Sequence, residues 1–203
     1  MNLSNLKIDK SWALFLDRDG VINRRIVDGY VHTWKQFEFH TGVKDAMKIL
    51  SSVFGKVFVV SNQQGIGKGL MTEAELQVIH QHMIAEIEQA GGRIDKVYHS
   101  PFLEIEKSIQ RKPNIGMALR ARKEFPGTNF KRSVMVGDSI SDMIFGKKLD
   151  MVTAFISVDK ISIGKNHKLI DLAFPDLLSF ANLFTSKAMY SGENYSDTKL
   201  LIR

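Results

Sequence analysis

The chain has 203 residues, a formal net charge of +6 at neutral pH and a hydrophobic content of 44%, which together predict one soluble globular domain with a sizeable core. It contains no cysteine, and this excludes disulfides, thiolate-ligated zinc and cysteine nucleophiles. No apolar run approaches the roughly 20 residues that a membrane span needs, and the N-terminal run is too short for a signal peptide. We therefore expect a cytoplasmic protein without a membrane partner.

The positive residues occur in short, separated clusters rather than along one basic helix, and a solvated surface is the favoured interpretation. No aromatic pattern typical of an RNA-binding sheet accompanies them, so nucleic acid is an unfavoured partner. A pocket for a small anion stays open as an alternative. The clusters are Arg24-Arg25, Arg111-Lys112, Arg120/Arg122/Lys123, Lys131-Arg132 and Lys147-Lys148.

In the first half of the chain, short apolar runs alternate with helical patterns. Ala13–Leu16 and residues 56–60 (KVFVV) are predicted strands, and residues 42–50 form a predicted helix between them. A well-marked helix follows, because Thr72 and Glu75 form a capping box ahead of an apolar stripe. Gly91 is its predicted stop.

The second half continues the alternation, with predicted strands at 94–98, 133–136, Val152–Ile156 and 169–173. Helices are predicted at 114–124, after Pro113, and at 175–184, where a proline starts the helix. This order predicts an α/β fold with a doubly wound parallel sheet. Only short insertions separate the elements, so we expect no large cap domain. Residues 1–185 are the predicted single domain, and 186–203 are a polar tail.

Two acidic residues follow the first predicted strand. Asp17 and Asp19 stand at positions i and i+2, so in extended chain their side chains share a face while Arg18 points elsewhere. Two further predicted strands also end in polar residues, Ser61 and Asp138, and ligands bind at this edge of a parallel sheet. Three carboxylates gathered there repel one another unless a cation neutralises them, and their oxygens suit Mg²⁺.

This set of residues predicts phosphoryl transfer. A carboxylate is ionised at neutral pH and attacks phosphorus without a base, which assigns the nucleophile to Asp17. Asp19 then protonates the leaving oxygen and activates water, and Asp138 helps to hold the metal. Lys112, at a predicted helix start, and Ser61 supply positive charge and a donor for the phosphoryl oxygens.

Four motifs stand in a fixed order, namely FLDRDGVIN (15–23), FVVSNQQGIGKG (58–69), RKPN (111–114) and VGDSISDM (136–143). In this order they resemble the four motifs of the haloacid dehalogenase superfamily. With DGYVH (28–32) and FEF (37–39), they are similar more narrowly to the D-glycero-D-manno-heptose-1,7-bisphosphate phosphatases and the related histidinol-phosphate phosphatases. The resemblance covers roughly residues 13–160.

The resemblance implies a role for each matching residue. The implied catalytic residues are the nucleophile Asp17, the acid/base Asp19, the phosphate donor Ser61 and the charge-neutralising Lys112. The implied Mg²⁺ ligands are Asp17, Asp138 and Asp19, the last through its backbone carbonyl. Substrate contacts are implied for Asp28, Gly29, Tyr30, Asn62, Gln63, Gln64 and Arg111, and Asp142 is expected to support the site structurally.

The chain also departs from that family. Relatives carry a cysteine- and histidine-ligated zinc in the loop before the RKP motif, whereas here the loop is shorter and cysteine-free, with Ser100 where a ligand would fall. Because His99 alone cannot hold the ion, no structural zinc is predicted. Ser139 and Asn114-Ile115 replace a lysine and a His-Pro pair typical of the heptose enzymes. These changes lie beside the expected substrate and leave its identity open.

The leading hypothesis is a Mg²⁺-dependent phosphomonoesterase that removes the 7-phosphate of heptose 1,7-bisphosphate. Histidinol-phosphate phosphatase and a nucleic-acid end phosphatase are alternatives, because an uncapped site admits larger substrates. A phosphoacceptor signalling domain is disfavoured by the spacing of Asp17 and Asp19, and an inactive binding module by the complete motif set. His80 and His82, two residues apart on a predicted helix, are expected to have a surface role. The sequence does not indicate an oligomeric state.

Overall fold

A computed structural model describes residues 7–27 and 29–185. Six strands form one sheet in the described chain: β1 (Ala13–Leu16), β2 (Lys56–Asn62), β3 (Lys96–Ser100), β4 (Ser133–Gly137), β5 (Val152–Ile156) and β6 (Leu172–Phe174). Their order across the sheet is β3-β2-β1-β4-β5-β6, and every neighbouring pair is parallel. The winding direction reverses between β1 and β4, which is where ligands bind in sheets of this kind.

The first six helices connect successive strands, a seventh follows the last strand, and together they cover both faces of the sheet. They are α1 (Val43–Val53), α2 (Gln64–Gly67), α3 (Glu73–Gln89), α4 (Gly116–Glu124), α5 (Ile140–Lys147), α6 (Lys160–Lys165) and α7 (Leu177–Ala181). This confirms the predicted doubly wound α/β architecture, and no large cap is evident in the part of the chain described here. None of the helices in residues 7–27 and 29–185 has the length and apolarity to cross a membrane.

Alternate residues of the central strands face opposite sides of the sheet, and each side has its own core. Leu14 and Leu16 of β1 join a core with buried residues of α1, α3 and α7. Phe15, between them, faces the other side and packs against Phe58 of β2, with a ring centroid distance of 5.1 Å, and against α4 and α5. Apolar burial on both faces accounts for the continuous hydrophobic runs of these strands.

The capping box predicted at the start of α3 is present. The Thr72 hydroxyl accepts from the Glu75 backbone N–H at 3.2 Å, and the Glu75 carboxylate accepts from the Thr72 N–H at 2.7 Å. The helix buries Leu76, Ile79, Met83 and Ile87. Gly91 then takes a φ of 84°, a conformation that favours glycine and ends the helix.

Two strands begin later than predicted, and the cause is the same in both. The chain enters β3 after Asp95, whose carboxylate accepts from the Val57 N–H at 2.8 Å. It enters β6 after Asp171, whose carboxylate accepts from the Thr153 N–H at 2.9 Å. In each case an aspartate carboxylate accepts the hydrogen bond from a backbone N–H that the carbonyl of a longer neighbouring strand would otherwise accept.

The last predicted helix is shorter than 175–184. Asp176 caps α7, its carboxylate accepting from the Ser179 N–H at 2.7 Å, and a 3-10 turn over Asn182–Phe184 follows the helix. Three helices were not predicted: the short α2 and α6, and α5, which begins within the last motif. The polar tail assigned to 186–203 lies outside the described residues.

Candidate active site

Polar residues gather where the sheet reverses its winding direction. Asp17 follows β1 and Asp138 follows β4, while Ser61 lies near the end of β2. A cavity of about 840 Å³ opens at this edge. Its lining includes the predicted catalytic residues Asp17, Asp19, Ser61 and Lys112, the predicted substrate contacts Gly29, Tyr30, Asn62, Gln63, Gln64 and Arg111, and also Arg25, Lys68, Ser139 and Ser141.

Lys112 lines the cavity and also binds the backbone of β2. Its buried Nζ lies 2.9 Å from Asp17 Oδ1 and 2.6 Å from Asp142 Oδ1, and it donates to the Val60 carbonyl at 2.7 Å. Burial alone would lower the pKa of Lys112, but the two carboxylates outweigh it and raise the pKa above its ordinary value. The lysine is therefore charged at neutral pH, as charge neutralisation requires.

Asp17 is buried in this arrangement. Burial raises the pKa of Asp17 to about 7; Lys112 opposes this, and Asp142 and Asp138 reinforce it. Burial likewise raises the pKa of Asp138 to about 6, against the opposing charge of Arg25. Asp17, Asp138 and Asp142 each offer a carboxylate oxygen, and these oxygens lie within 4.8 Å of one another. A donor set made only of carboxylate oxygens fits a hard divalent cation.

Gly20 allows the acidic residues to approach each other. Its φ is 93°, and a Cβ atom at this position would lie 1.9 Å from Asp138 Oδ2. Any larger residue would push the Asp138 carboxylate away from the edge of the sheet. The glycine that follows the second aspartate of the first motif is thus a requirement of close packing as well as of the turn.

Arg25 contacts oxygens of Asp138 and Asp19, and this residue was not predicted as part of the site from the sequence. Its guanidinium donates to Asp138 Oδ1 at 2.9 Å and to the Asp19 backbone carbonyl at 3.3 Å. Those two oxygens are the ones implied as metal ligands, so Arg25 and a cation would compete for them. The only signal in the sequence was an Arg24-Arg25 pair, which resembles any other exposed cluster.

Asp19 is held by three donors. Arg18 Nη2 contacts both carboxylate oxygens at 2.9 Å, Asn23 donates to Oδ1 at 2.9 Å and Gln63 donates to Oδ2 at 2.8 Å. Burial would raise the pKa of Asp19, but the Arg18 charge and these hydrogen bonds outweigh it and hold the pKa below its ordinary value. The carboxylate is ionised and fixed in this arrangement.

Two of the predicted substrate contacts use their side chains inside the protein. The Gln63 amide donates to the Ser61 hydroxyl at 2.7 Å as well as to Asp19. The Asn62 amide accepts from the Lys112 N–H and donates to the Lys112 carbonyl, both at 3.0 Å. Asn62 thereby fixes the backbone from which the catalytic lysine extends.

The remaining predicted contacts lie toward the cavity mouth. The Tyr30 hydroxyl accepts from Gln64 at 2.8 Å and from Lys68 at 2.9 Å. Arg111 donates to the Phe102 carbonyl at 3.3 Å. Gly29 adjoins them on the cavity wall, and Asp28 lies outside the described residues.

Two expectations about polar residues had different outcomes. The structure places Asp142 against Lys112 and against Ser139, whose hydroxyl donates to Asp142 Oδ2 at 2.6 Å. The surface role expected for His80 is wrong, because its side chain is buried and its Nε2 lies 3.2 Å from Arg18 Nη1. The inner face of α3 carries His80, whereas His82 is exposed and stacks on Trp34.

Residues 16–180 match the family model described as polynucleotide kinase 3 phosphatase. The chain is also 35% identical over 170 residues to a D-glycero-alpha-D-manno-heptose-1,7-bisphosphate 7-phosphatase of Mycobacterium bovis, covering 84% of this chain and 90% of the relative. The enzyme of that name from Campylobacter jejuni is 34% identical, with coverage of 88% and 98%. The D-glycero-beta-D-manno-heptose-1,7-bisphosphate 7-phosphatase of Escherichia coli K12 is 39% identical over 138 residues, with coverage of 64% and 71%.

Solved structures have the same architecture. A D,D-heptose 1,7-bisphosphate phosphatase from B. bronchiseptica, complexed with magnesium and phosphate, superposes with a TM-score of 0.76. It is 23% identical and covers 84% of this chain and 96% of its own, so the likeness is one of fold. The D,D-heptose 1,7-bisphosphate phosphatase from Burkholderia thailandensis gives a TM-score of 0.60 at 25% identity, with coverage of 86% and 99%.

Proposed function

This chain belongs to the polynucleotide kinase 3 phosphatase family of haloacid dehalogenase-like phosphatases, and from that premise we propose that it removes the 7-phosphate of D-glycero-D-manno-heptose 1,7-bisphosphate. The observation that carries the chemistry is the buried pair of Asp17 and Lys112 at one edge of the sheet, with the half-buried Asp138 within reach of Asp17 and Asp19 beside it. The relatives of that named activity, which align over most of the chain, support the substrate.

The first step forms an aspartyl-phosphate. An oxygen of Asp17 attacks phosphorus, the bond between phosphorus and the ester oxygen breaks, and Asp19 gives a proton to the departing oxygen. As held by Arg18, Asp19 is ionised at neutral pH. A phosphate dianion arriving beside Asp19 raises the pKa of that carboxyl, because like charges disfavour the ionised form, and so prepares it as an acid.

The second step releases phosphate. Asp19 takes a proton from water as the water oxygen bonds to phosphorus, and the bond between phosphorus and Asp17 breaks, which restores both carboxyl groups. Lys112 and Ser61 face the cavity at its base and supply charge and a hydroxyl for the phosphoryl oxygens.

We propose Mg²⁺ as the cation, held by Asp17, Asp138 and the Asp19 carbonyl. When bound, it neutralises the acidic cluster and charge on the phosphoryl oxygens. A cation there also lowers the pKa of Asp17 and favours the ionised nucleophile. Arg25 contacts two of the proposed ligand atoms and would turn away from them, toward the cavity.

A bisphosphate suits the charge of the cavity mouth. Arg25, Lys68 and Arg111 all line the cavity and are more exposed than the buried Lys112. A substrate with a second phosphate would place it among these cations while the first is at Asp17. A phosphorylated sugar cannot cross a membrane unaided because of its charge, and we therefore place the reaction in the cytoplasm.

Removal of a terminal phosphate from nucleic acid is a second candidate, because the family description names that activity. Several of the basic residues are paired elsewhere, however. Lys147 contacts Asp171, Lys131 contacts Asp150, and the Arg122 guanidinium lies over Phe130. None of these three is among the residues that line the cavity, whereas a protein that follows a phosphate backbone needs basic residues leading to the reacting phosphate.

Phosphate release from a panel of esters tests the proposal. The pure protein would be given both anomers of heptose 1,7-bisphosphate, histidinol phosphate and a 3′-phosphorylated oligonucleotide, with and without Mg²⁺. We expect the highest kcat/KM with one heptose anomer and none without a divalent cation. A preference for the oligonucleotide would assign the second candidate instead, and no release from any ester would refute the enzyme.

A further inference from the structure

A buried arginine joins the active site to α3. Arg18 stands between Asp17 and Asp19 in the chain, and its side chain is 0% exposed. A guanidinium carries five N–H donors, and a buried one is stable only where acceptors surround it. Within residues 7–27 and 29–185 the side-chain acceptors for Arg18 belong to Asp19 and His80.

The two contacts use different terminal nitrogens of the guanidinium. Nη2 donates to both carboxylate oxygens of Asp19 at 2.9 Å, and Nη1 lies 3.2 Å from His80 Nε2. Because arginine has no acceptor, the His80 Nε2 atom accepts and the ring is neutral, with its proton on Nδ1. His80 therefore binds the second terminal nitrogen of the guanidinium that holds Asp19.

The environment keeps His80 in that form. Its side chain is buried, and burial, followed by the charge of Arg18, lowers the pKa of His80 to about 3. The imidazole thus remains an acceptor throughout the neutral range. The ring of His99 lies beside His80 at a centroid distance of 5.9 Å, and its Nε2 contacts Glu73 at 2.7 Å.

We propose that His80 is a positioning residue for the phosphatase reaction, and that it acts through Arg18 to set the orientation of the acid/base Asp19. The inference rests on the proposed function, in which Asp19 moves a proton in each step. Such a transfer requires a heavy-atom distance near 3 Å to the leaving oxygen or to water. Freed at Nη1, the Arg18 guanidinium could rotate and take the Asp19 carboxylate with it.

The test is a set of variants assayed on the heptose 1,7-bisphosphate anomer that the wild type prefers. His80→Leu removes the acceptor with little change in volume, and His80→Gln places an amide oxygen near the position of Nε2. His82→Gln, on the exposed face of the same helix, is the matched control. We expect His80→Leu to lower kcat roughly tenfold to a hundredfold with KM little changed, and His80→Gln to stay within about threefold of the wild type.

A double-mutant cycle with Arg18→Lys tests whether His80 acts on Asp19 through Arg18. Lysine cannot bind both Asp19 oxygens and reach His80, so in that background His80→Leu should produce no further loss of kcat. Melting temperatures establish that each variant is folded. If His80→Leu is not, His80→Asn, whose amide is too short to reach Nη1, replaces it.

Three results would overturn the inference: wild-type kcat in a folded His80→Leu protein, equal losses in the Leu and Gln variants, or an undiminished loss in the Arg18→Lys background. Failure of the proposed function is distinguishable from these outcomes. In that case the wild-type protein itself releases no phosphate from the sugar.

Discussion

The Nζ atom of Lys112 lies 2.9 Å from Asp17 Oδ1, and both side chains are buried. The same ammonium group is 2.6 Å from Asp142, so one cation serves two carboxylates that would otherwise repel each other. Asp17 and Lys112 therefore matter for stability as well as for the proposed reaction, because a buried charge is costly unless an opposite charge lies beside it.

Removing the ammonium group should destabilise the protein. Lys112→Met leaves Asp17 and Asp142 buried without a cation, and we expect a loss of about 3–5 kcal/mol in the free energy of unfolding without Mg²⁺. Urea unfolding measures this loss. Lys123→Met, at an exposed position of α4, is the control and should change stability by at most about 0.5 kcal/mol. Equal effects of the two substitutions would argue against a buried ion pair.

Asp17→Asn should abolish phosphate release while the protein stays folded. The amide has the shape of the carboxylate but cannot attack phosphorus, and the loss of one buried charge should leave the melting temperature equal or higher. We expect kcat to fall by at least about 1,000-fold, which is about 4 kcal/mol in the barrier. Release at more than a few per cent of the wild-type rate would exclude Asp17 as the nucleophile.

Arg25→Gln should strengthen magnesium binding. The Arg25 guanidinium contacts Asp138 and the Asp19 carbonyl, and its removal eliminates a competitor for those oxygens. The side chain is about half exposed, so the effect should be modest, about two- to fivefold in Kd. Isothermal titration with MgCl₂ measures it. Arg24→Gln, which breaks a surface pair with Glu38, should leave Kd unchanged.

Arg111→Gln should affect a bisphosphate more than a monophosphate. Arg111 lines the cavity and is more exposed than the buried Lys112, and we expect the second phosphate to lie beside it. One charge-assisted hydrogen bond contributes about 1.5–3 kcal/mol, so we expect KM for the bisphosphate to rise roughly tenfold or more. KM for a sugar monophosphate should stay the same. A parallel rise for both substrates would place Arg111 at the reacting phosphate instead.

Acid should destabilise the fold through His80. Its pKa is lowered to about 3, whereas an unfolded histidine titrates near 6.5, so the unfolded chain binds more protons between these values. The contribution of His80 to stability is complete above pH 6.5 and declines as the pH falls. Burial is the main cause of the lowered pKa; of the groups that His80 faces, Arg18 and His99 disfavour its protonation and Asp19 favours it.

The comparison is between the wild type and His80→Gln, in which nothing titrates at this position. Below pH 6.5 the wild type should lose about 1 kcal/mol more than the variant for each pH unit. Urea unfolding between pH 4.5 and 7.5 measures the difference. A difference that does not change with pH would mean that His80 is not held neutral in the folded protein.

The sequence alone was sufficient to predict the fold and to bring Asp17, Ser61 and Asp138 to one edge of the sheet. Strand ends are readable because apolar runs stop there, and parallel strands present their carboxyl ends together. Lys112 could be included because it stands before a proline at a predicted helix start, and the ordered motifs, which resemble those of a known superfamily, imply the same role. These inferences depend on position along the chain, which local pattern and topology fix.

Only the tertiary structure decided which way the side chains between those positions point. Helical spacing places His80 beside the apolar stripe of α3 and His82 away from it, but that His80 contacts Arg18 depends on packing. Arg25 is likewise one of several arginine clusters until the loop folds back on Asp138. The positions of the site residues follow from the order of the strands along the chain. The residues that hold them in place, such as His80 and Arg25, are identified only by contacts between distant parts of the folded chain.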